Sequence, residues 1–186
     1  MIVESGISSP TQMECTVNVC LCPFHDFADL IPVGIKKFDL DKKLFGIFPH
    51  QILKKTSPLF RGFNDEFLAP HSRATDVNVS DVAAVPELEI MALTKEGSLA
   101  IAKTKDSRQF FVTCHAEYDA NTLALEYNRD MEKGLTSVDL PINYFPDDDP
   151  TKAPVVTWRS TGQLLYSNWL NFYVYQSTPY DIKDIK

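Results

Sequence analysis

The stretch that decides the fold is residues 110–119, which read Phe-Phe-Val-Thr-Cys-His-Ala-Glu-Tyr-Asp. Its first residues are aromatic and β-branched, which is typical of a strand buried in a sheet. The run ends in His115 and Glu117, and Asp119, which can cap a helix, follows them. Side chains that follow a strand in this way lie where open α/β sheets bind their ligands. The sequence therefore predicts an α/β fold with His115 at its functional edge.

His115 and Glu117 have the chemistry of a general base and the group that orients it. An imidazole titrates near neutral pH, so it can take up and return a proton. A nearby carboxylate can hold the ring and stabilise the imidazolium that forms. Such a pair activates a thiol or hydroxyl nucleophile supplied by another part of the chain. A histidine at a strand end is also often structural, so the motif by itself leaves both interpretations open.

Short apolar or alternating runs predict further strands. We predict strands at residues 44–48, 88–93, 98–103 and 109–114. Compact polar connectors separate the last three runs, at residues 95–97 and 106–108. These three strands are therefore expected to form a meander.

A first helix is predicted to begin near Asp119 and to end at Gly134, a residue that favours the end of a helix. Apolar residues recur in it at every fourth position, at Leu123, Tyr127 and Met131. This spacing predicts one buried stripe along the helix.

A proline-rich stretch and a second helix complete the prediction. Residues 140–154 hold four prolines and three aspartates, a composition typical of a loop. A second helix is predicted at about residues 162–176. Its apolar face comprises Leu165, Trp169, Phe172 and Gln176.

Composition and charge exclude several classes of protein. The chain has 186 residues, of which 44% are hydrophobic, so it can form one core of ordinary size. Its net charge of -7 opposes nucleic acid or an anionic membrane as the main partner. No apolar run reaches the ~18 residues of a membrane span, and no basic signal peptide opens the chain. We expect a cytoplasmic protein with a small-molecule ligand.

Three of the four cysteines lie close together in the sequence. The cysteines are Cys15, Cys20, Cys22 and Cys114. In a reducing compartment we expect them to be thiols and not disulfides. A metal site formed with His25 is an alternative, but the paired Cys-x-x-Cys spacing of such sites is missing. We therefore predict no metal and no cofactor.

Several longer segments of the chain resemble one family, the homoserine O-acyltransferases, which acylate homoserine with acetyl or succinyl groups. One matching segment, residues 61–73, reads Arg-Gly-Phe-Asn-Asp-Glu-Phe-Leu-Ala-Pro-His-Ser-Arg, and another, residues 143–150, reads Asn-Tyr-Phe-Pro-Asp-Asp-Asp-Pro. The others are residues 42–50, 111–123, 158–162 and 168–175. His115-Ala-Glu117 is also similar to the His-Pro-Glu of class I glutamine amidotransferases. The resemblance covers about residues 34–182.

The resemblance implies a fold, a reaction and three catalytic residues. The fold would be the flavodoxin-like fold of the class I glutamine amidotransferases, truncated at the N-terminus. The reaction would transfer an acyl group from acetyl-CoA or succinyl-CoA to the hydroxyl of L-homoserine through a cysteine thioester, in methionine biosynthesis. Cys22 would be the nucleophile, His115 the general base and Glu117 its partner. Acyl-CoA would be a co-substrate, and a complete chain is expected to be a homodimer.

The same resemblance implies three substrate-binding residues, Lys43, Ser72 and Arg129. The Arg129 guanidinium would hold the homoserine carboxylate. From the residues alone, each has a simpler interpretation: a solvated lysine, a turn-forming serine and one end of a helix salt bridge. His50 and His71 lie in matching segments too, and for them we predict structural hydrogen bonding.

Residues 1–33 are unlike the family. Three prolines interrupt this segment and no element is predicted in it, so we divide the chain into an atypical segment, 1–33, and the C-terminal part of the acyltransferase domain, 34–186. Pro23 follows Cys22, and proline has no N–H to donate to an oxyanion. Loss of such a donor costs about 3–4 kcal/mol of transition-state stabilisation, which predicts impaired activity.

Two further functions are alternatives to acyl transfer. One is a non-catalytic remnant that keeps a homoserine-binding site. The other is hydrolysis of glutamine on the same fold, which the flanking motifs disfavour.

Overall fold

The computed structural model describes residues 18–21, 35–134 and 139–176, and it describes side chains from residue 35 onward. The strands within these residues are β1 Asn18–Leu21, β2 Lys37–Ile52, β3 Glu66–Val77, β4 Leu88–Thr94, β5 Leu99–Thr104 and β6 Gln109–Val112. The α-helices there are α1 Val79–Ala84, α2 Thr122–Glu132 and α3 Arg159–Trp169, which continues into a π-helical turn, Leu170–Val174. Short 3-10 turns lie at Pro58–Phe60 and Pro146–Asp148.

The strands of the described region form one mixed sheet in the order β1-β6-β5-β4-β2-β3. Strands β4, β5 and β6 are antiparallel neighbours, which confirms the predicted meander. All four predicted strands are present, although β2 is much longer than the run at residues 44–48 from which it was predicted.

Strand β3 was missed by the sequence analysis. It pairs with β2 in antiparallel register, with Phe45 opposite Ser72 and Ile47 opposite Pro70. Proline cannot donate a ladder hydrogen bond and is tolerated at the edge of a sheet. Because β3 is at the end of the strand order, Pro70 is compatible with it.

Strand β1 was also missed, and it pairs with β6 in parallel, with Leu21 opposite Val112. The carboxyl ends of parallel strands meet at the same edge of a sheet. The chain therefore leaves β1 and β6 at one edge, and His115 follows β6 by three residues.

Both predicted long helices are present, with changes at their ends. Helix α2 begins at Thr122, and the prediction that Asp119 caps it is wrong because only the backbone carbonyl of Asp119 accepts a bond, from the Thr122 N–H. Gly134 ends the helix in the left-handed conformation, as predicted. The predicted stripe fails at Met131, which is 50% exposed.

Helix α3 begins at Arg159, three residues before the predicted start. Leu165 is buried, and Trp169 and Phe172 pack against the core as predicted. Gln176 is exposed, so its assignment to the apolar face was wrong.

The core lies on both faces of the sheet, since successive residues of β6 point in opposite directions. Phe110 and Val112 belong to the cluster that α3 covers, and Phe111 belongs to the cluster next to α1. A third cluster packs α2 and the segment of residues 139–158 against β2.

Gly46 of β2 makes a close approach to that segment. It has a φ of 136°, and a Cβ there would lie 2.3 Å from the backbone nitrogen of Ile142. Only glycine fits such a contact. Among the helices of the described residues, none is long and apolar enough to span a bilayer.

Candidate functional site

The residues after β6 carry His115 into a buried position. Its backbone N–H donates to the carbonyl oxygen of Pro70 in β3, at 2.8 Å. Three strands separate β6 from β3 in the sheet order, so this bond requires a strongly curled sheet. The curl places His115, which is 5% exposed, beside Pro70 of β3.

His115 and Glu117 form the expected pair. The Nδ1 atom of His115 lies 2.8 Å from Oε1 of Glu117. An ionised carboxylate only accepts, so Nδ1 carries the proton and Nε2 is left as the basic atom. The other carboxylate oxygen of Glu117 is 3.5 Å from the hydroxyl of Tyr166. The pair can therefore act as an oriented general base.

Tyr118 contacts this base directly. Its ring stacks on the imidazole of His115 with the centroids 4.3 Å apart and the planes at 16°. Its hydroxyl donates to Oε1 of Glu126 in α2, at 3.0 Å. Burial and the charge of Glu126 raise the pKa of Tyr118 well above its ordinary value. The phenol is therefore a hydrogen-bond donor at neutral pH.

Tyr118 contacts, through Glu126, a group of five charged or polar residues that we refer to as the Lys43 cluster. They are Lys43 of β2, Ser72 of β3, and Glu126, Arg129 and Asp130 of α2. Glu126 and Asp130 are one helical turn apart and face the sheet together. The ammonium of Lys43 lies 3.8 Å from Oε2 of Glu126 and 3.6 Å from Oδ2 of Asp130. The hydroxyl of Ser72 donates to Oε2 of Glu126.

Arg129 joins the cluster through its neighbour in the sequence. Its guanidinium binds Oδ1 of Asp130 through Nη2 at 2.8 Å and Nε at 2.9 Å. Burial favours the neutral form of Asp130, but the cations Arg129 and Lys43 outweigh it and lower the pKa of this carboxyl. Arg129 is half exposed, with 51% of its side chain accessible, so it could turn toward a ligand.

His50 and His71 bind one another, which confirms the structural hydrogen bonding predicted for them. Their Nε2 atoms lie 2.8 Å apart, and both rings are buried. Burial lowers the pKa of His50 to about 4 and lowers that of His71 well below its ordinary value. Both rings are therefore neutral at pH 7, and one donates to the other.

Cys114 precedes His115 but belongs to the core. It is 1% exposed, and burial raises the pKa of its thiol to about 12. A thiol in that state is a poor nucleophile. The predicted nucleophile, Cys22, and the following Pro23 lie outside the described residues. The alternative metal site lies outside them too, because only the backbone of Cys20 is described and Cys15 and His25 are not.

The structure brings five of the six predicted site residues into one network. His115 and Glu117 form one half, and Lys43, Ser72 and Arg129 form the other. The sequence analysis missed three residues that join them: Tyr118, Glu126 and Asp130. A weak signal was present, because Glu126 and Asp130 are two carboxylates one turn apart on a predicted helix. The catalytic and binding roles of all six residues stay predictions.

Comparisons with known proteins identify relatives of the chain. The model of a family described as homoserine O-succinyltransferase matches residues 6–180. The homoserine O-acetyltransferase of Acetivibrio thermocellus is 55% identical over 153 residues, which are 82% of this chain and 50% of that protein. Those of Brevibacillus brevis and Bacteroides fragilis are 51% and 50% identical over the same shares. The chain spans about half the length of these curated relatives.

Solved structures give the fold. The crystal structure of SMU.1228c has a TM-score of 0.51 at 18% identity, covering 73% of this chain and 54% of its own. A glutamine amidotransferase from Methylobacillus flagellatus has a TM-score of 0.50 at 14% identity, covering 74% and 55%. These likenesses confirm the predicted α/β fold of the glutamine amidotransferase type.

Proposed function

Because this chain belongs to the homoserine O-succinyltransferase family, we propose that it takes part in acyl transfer from acetyl-CoA or succinyl-CoA to the hydroxyl of L-homoserine. The observation that carries the proposal is the continuous network from the His115–Glu117 pair through Tyr118 to the Lys43 cluster. It joins an oriented base to a group of charges of both signs. Such charges suit an α-amino acid, which carries both an ammonium and a carboxylate.

In the first step His115 takes the proton of the Cys22 thiol, and the resulting thiolate attacks the thioester carbonyl of acyl-CoA. The C–S bond to CoA breaks, His115 gives the same proton to the leaving CoA sulfur, and Cys22 keeps the acyl group as a thioester. Cys22 follows β1 in the sequence, and β1 ends beside Val112 of β6, the strand that leads to His115. This placement supports Cys22 as the nucleophile.

In the second step the homoserine hydroxyl attacks the acyl-enzyme. Nε2 of His115 takes the hydroxyl proton, and Glu117 stabilises the imidazolium through Nδ1. The new C–O bond forms, the bond to the Cys22 sulfur breaks, and His115 returns its proton to that sulfur. O-acylhomoserine leaves, and the enzyme is ready for another acyl-CoA.

The Lys43 cluster would hold the amino-acid part of homoserine. A carboxylate can bind the guanidinium of Arg129, which presents several N–H donors. An ammonium can bind Glu126, whose side chain is largely buried. Its carboxylate already accepts hydrogen bonds from the hydroxyls of Ser72 and Tyr118. The reaction uses no metal or other cofactor in this proposal, and it takes place in the cytoplasm with homoserine and acyl-CoA as partners in a homodimeric enzyme.

Trapping the acyl-enzyme tests the proposal. The purified chain is incubated with acetyl-CoA or succinyl-CoA, and peptide mass spectrometry locates any added acyl group. We expect it on Cys22, released by L-homoserine as the O-acyl product. The variant Cys22→Ala should lose the adduct, and the matched control Cys114→Ala should keep it. An adduct on Cys114, or no adduct with either donor, would overturn the proposal.

The alternative of a non-catalytic homoserine-binding remnant has one feature in its favour. Pro23, directly after Cys22, has no N–H for an oxyanion. Calorimetry separates the two functions: homoserine binding without acylation of Cys22 is the result expected for a remnant.

A further inference from the structure

Tyr118 is the residue that touches both halves of the site. Its ring lies on the imidazole of His115, and its hydroxyl lies on the carboxylate of Glu126. No role for it followed from the sequence. The two contacts use different parts of the side chain, so the hydroxyl contact can be removed while the ring contact stays.

The ring contact fixes the imidazole. A single hydrogen bond from Nδ1 to Glu117 leaves the His115 ring free to tilt about that bond. A parallel aromatic face with its centroid 4.3 Å away removes this freedom. The direction of Nε2, the atom that would take the proton, therefore depends on Tyr118.

The hydroxyl contact fixes Glu126. Oε1 of Glu126 accepts from Tyr118, and Oε2 accepts from Ser72. With both oxygens held, the carboxylate keeps one orientation toward Lys43, 3.8 Å away. Removal of the phenol hydroxyl would free one oxygen without touching the imidazole.

Tyr118 is itself held in place by its backbone. Its carbonyl oxygen accepts from the indole N–H of the buried Trp158 at 2.9 Å, and its own N–H donates to the carbonyl of His115 at 3.1 Å. A side chain anchored in this way can position its neighbours and does not merely follow them.

We propose that Tyr118 is a positioning residue for acyl transfer, whose ring aligns the base His115 and whose hydroxyl orients Glu126 to receive the acyl acceptor. The inference rests on the proposed function, since it gives Tyr118 a task in that reaction. It assigns two separable effects to one side chain. The ring governs turnover, and the hydroxyl governs acceptor affinity.

Two substitutions separate these effects. Tyr118→Phe keeps the ring, so we expect the KM for homoserine to rise about tenfold or more, as for loss of a hydrogen bond to a charged group, with kcat changed less than about threefold. Tyr118→Leu removes both contacts, so kcat should fall as well. Tyr127→Phe, a half-buried tyrosine in α2 away from His115, is the matched control and should change neither constant. If Tyr118→Phe lowered kcat and raised KM to the same extent as Tyr118→Leu, the inference would be overturned.

A second measurement does not depend on activity. In proton NMR spectra, the Tyr118 ring should shift the carbon-bound protons of His115 upfield. Tyr118→Phe should keep the shift, and Tyr118→Leu should lose it. If the unsubstituted chain transfers no acyl group, the proposed function fails, but this spectrum still tests the positioning. Resonances of His115 that do not move in Tyr118→Leu would refute it.

Discussion

Gly162 of α3 lies against the carbonyl oxygen of Ala116, so closely that a Cβ at residue 162 would be 2.4 Å from that oxygen. Ala116 is the residue between His115 and Glu117. The backbone of α3 therefore supports the turn that sets the distance between the proposed base and its carboxylate.

Substitution of Gly162 by alanine tests this contact. Gly162→Ala must push the turn away from α3, so we expect a loss of about 1–3 kcal/mol in the free energy of unfolding, measured with urea. Alanine is the better helix former by about 1 kcal/mol, which acts in the opposite direction. Ser167→Ala, on the exposed side of the same helix, is the control and should leave stability nearly unchanged. A more stable Gly162→Ala protein would show that the contact is not tight.

The buried pair of His50 and His71 predicts acid sensitivity. Their folded-state pKa values lie below the unfolded value of 6.5, so the unfolded chain binds more protons as the pH falls. Stability is therefore full above pH 6.5 and decreases toward pH 4, by about 3 kcal/mol for His50 alone. Urea midpoints measured across this range test the slope. The double variant His50→Gln, His71→Gln should be much less sensitive to pH, and an unchanged slope would contradict the assignment.

Arg129 should matter for binding and not for folding. Loss of a hydrogen-bonded charge partner weakens binding by about 1.5–3 kcal/mol, so Arg129→Met should raise the KM for homoserine about 10- to 150-fold. Its exposed ion pair contributes at most about 1 kcal/mol to stability. Arg108→Met removes another exposed arginine paired with an aspartate and is the matched control. A similar rise in KM in the control would remove the argument for Arg129.

Cys114 should resist alkylation in the folded protein. With its pKa raised to about 12 by burial, about one thiol in ten thousand is ionised at pH 8. We expect iodoacetamide to modify Cys114 only after unfolding in urea, as measured by peptide mass spectrometry of native and denatured samples. Equal rates in the two samples would show that the thiol is accessible.

The strands that the sequence predicted have a local pattern, and the missed strand β3 does not. Residues 88–93 and 98–103 are apolar enough to indicate strands by themselves. Strand β3 contains Pro70 and a polar run, and two of its polar side chains bind partners distant in the chain. His71 binds His50, and Arg73 donates to the carbonyl of Leu99. Such partners are not visible in a local window.

The residues of the site also differ in whether a local sequence pattern could predict them. The proximity of His115 and Glu117 follows from a spacing of two residues, and Lys43, Ser72 and Arg129 came from the family resemblance. The contact of Tyr118 with Glu126 arises where the turn after β6 meets α2. It depends on how the helix packs on the sheet, which periodicity does not specify.

The parallel pairing of β1 with β6 has a consequence for how the protein assembles. All of β2 to β5 lies between these strands in the chain, so their pairing closes a very large loop. The entropy lost in closing a loop grows with its length, and contacts between distant segments are slow to form. The meander can form early from neighbouring segments, whereas the edge that β1 shares with β6 is completed last. In a newly made chain His115 would therefore lie in an incomplete sheet until β1 pairs with β6, and the chain could bind a substrate only after that pairing.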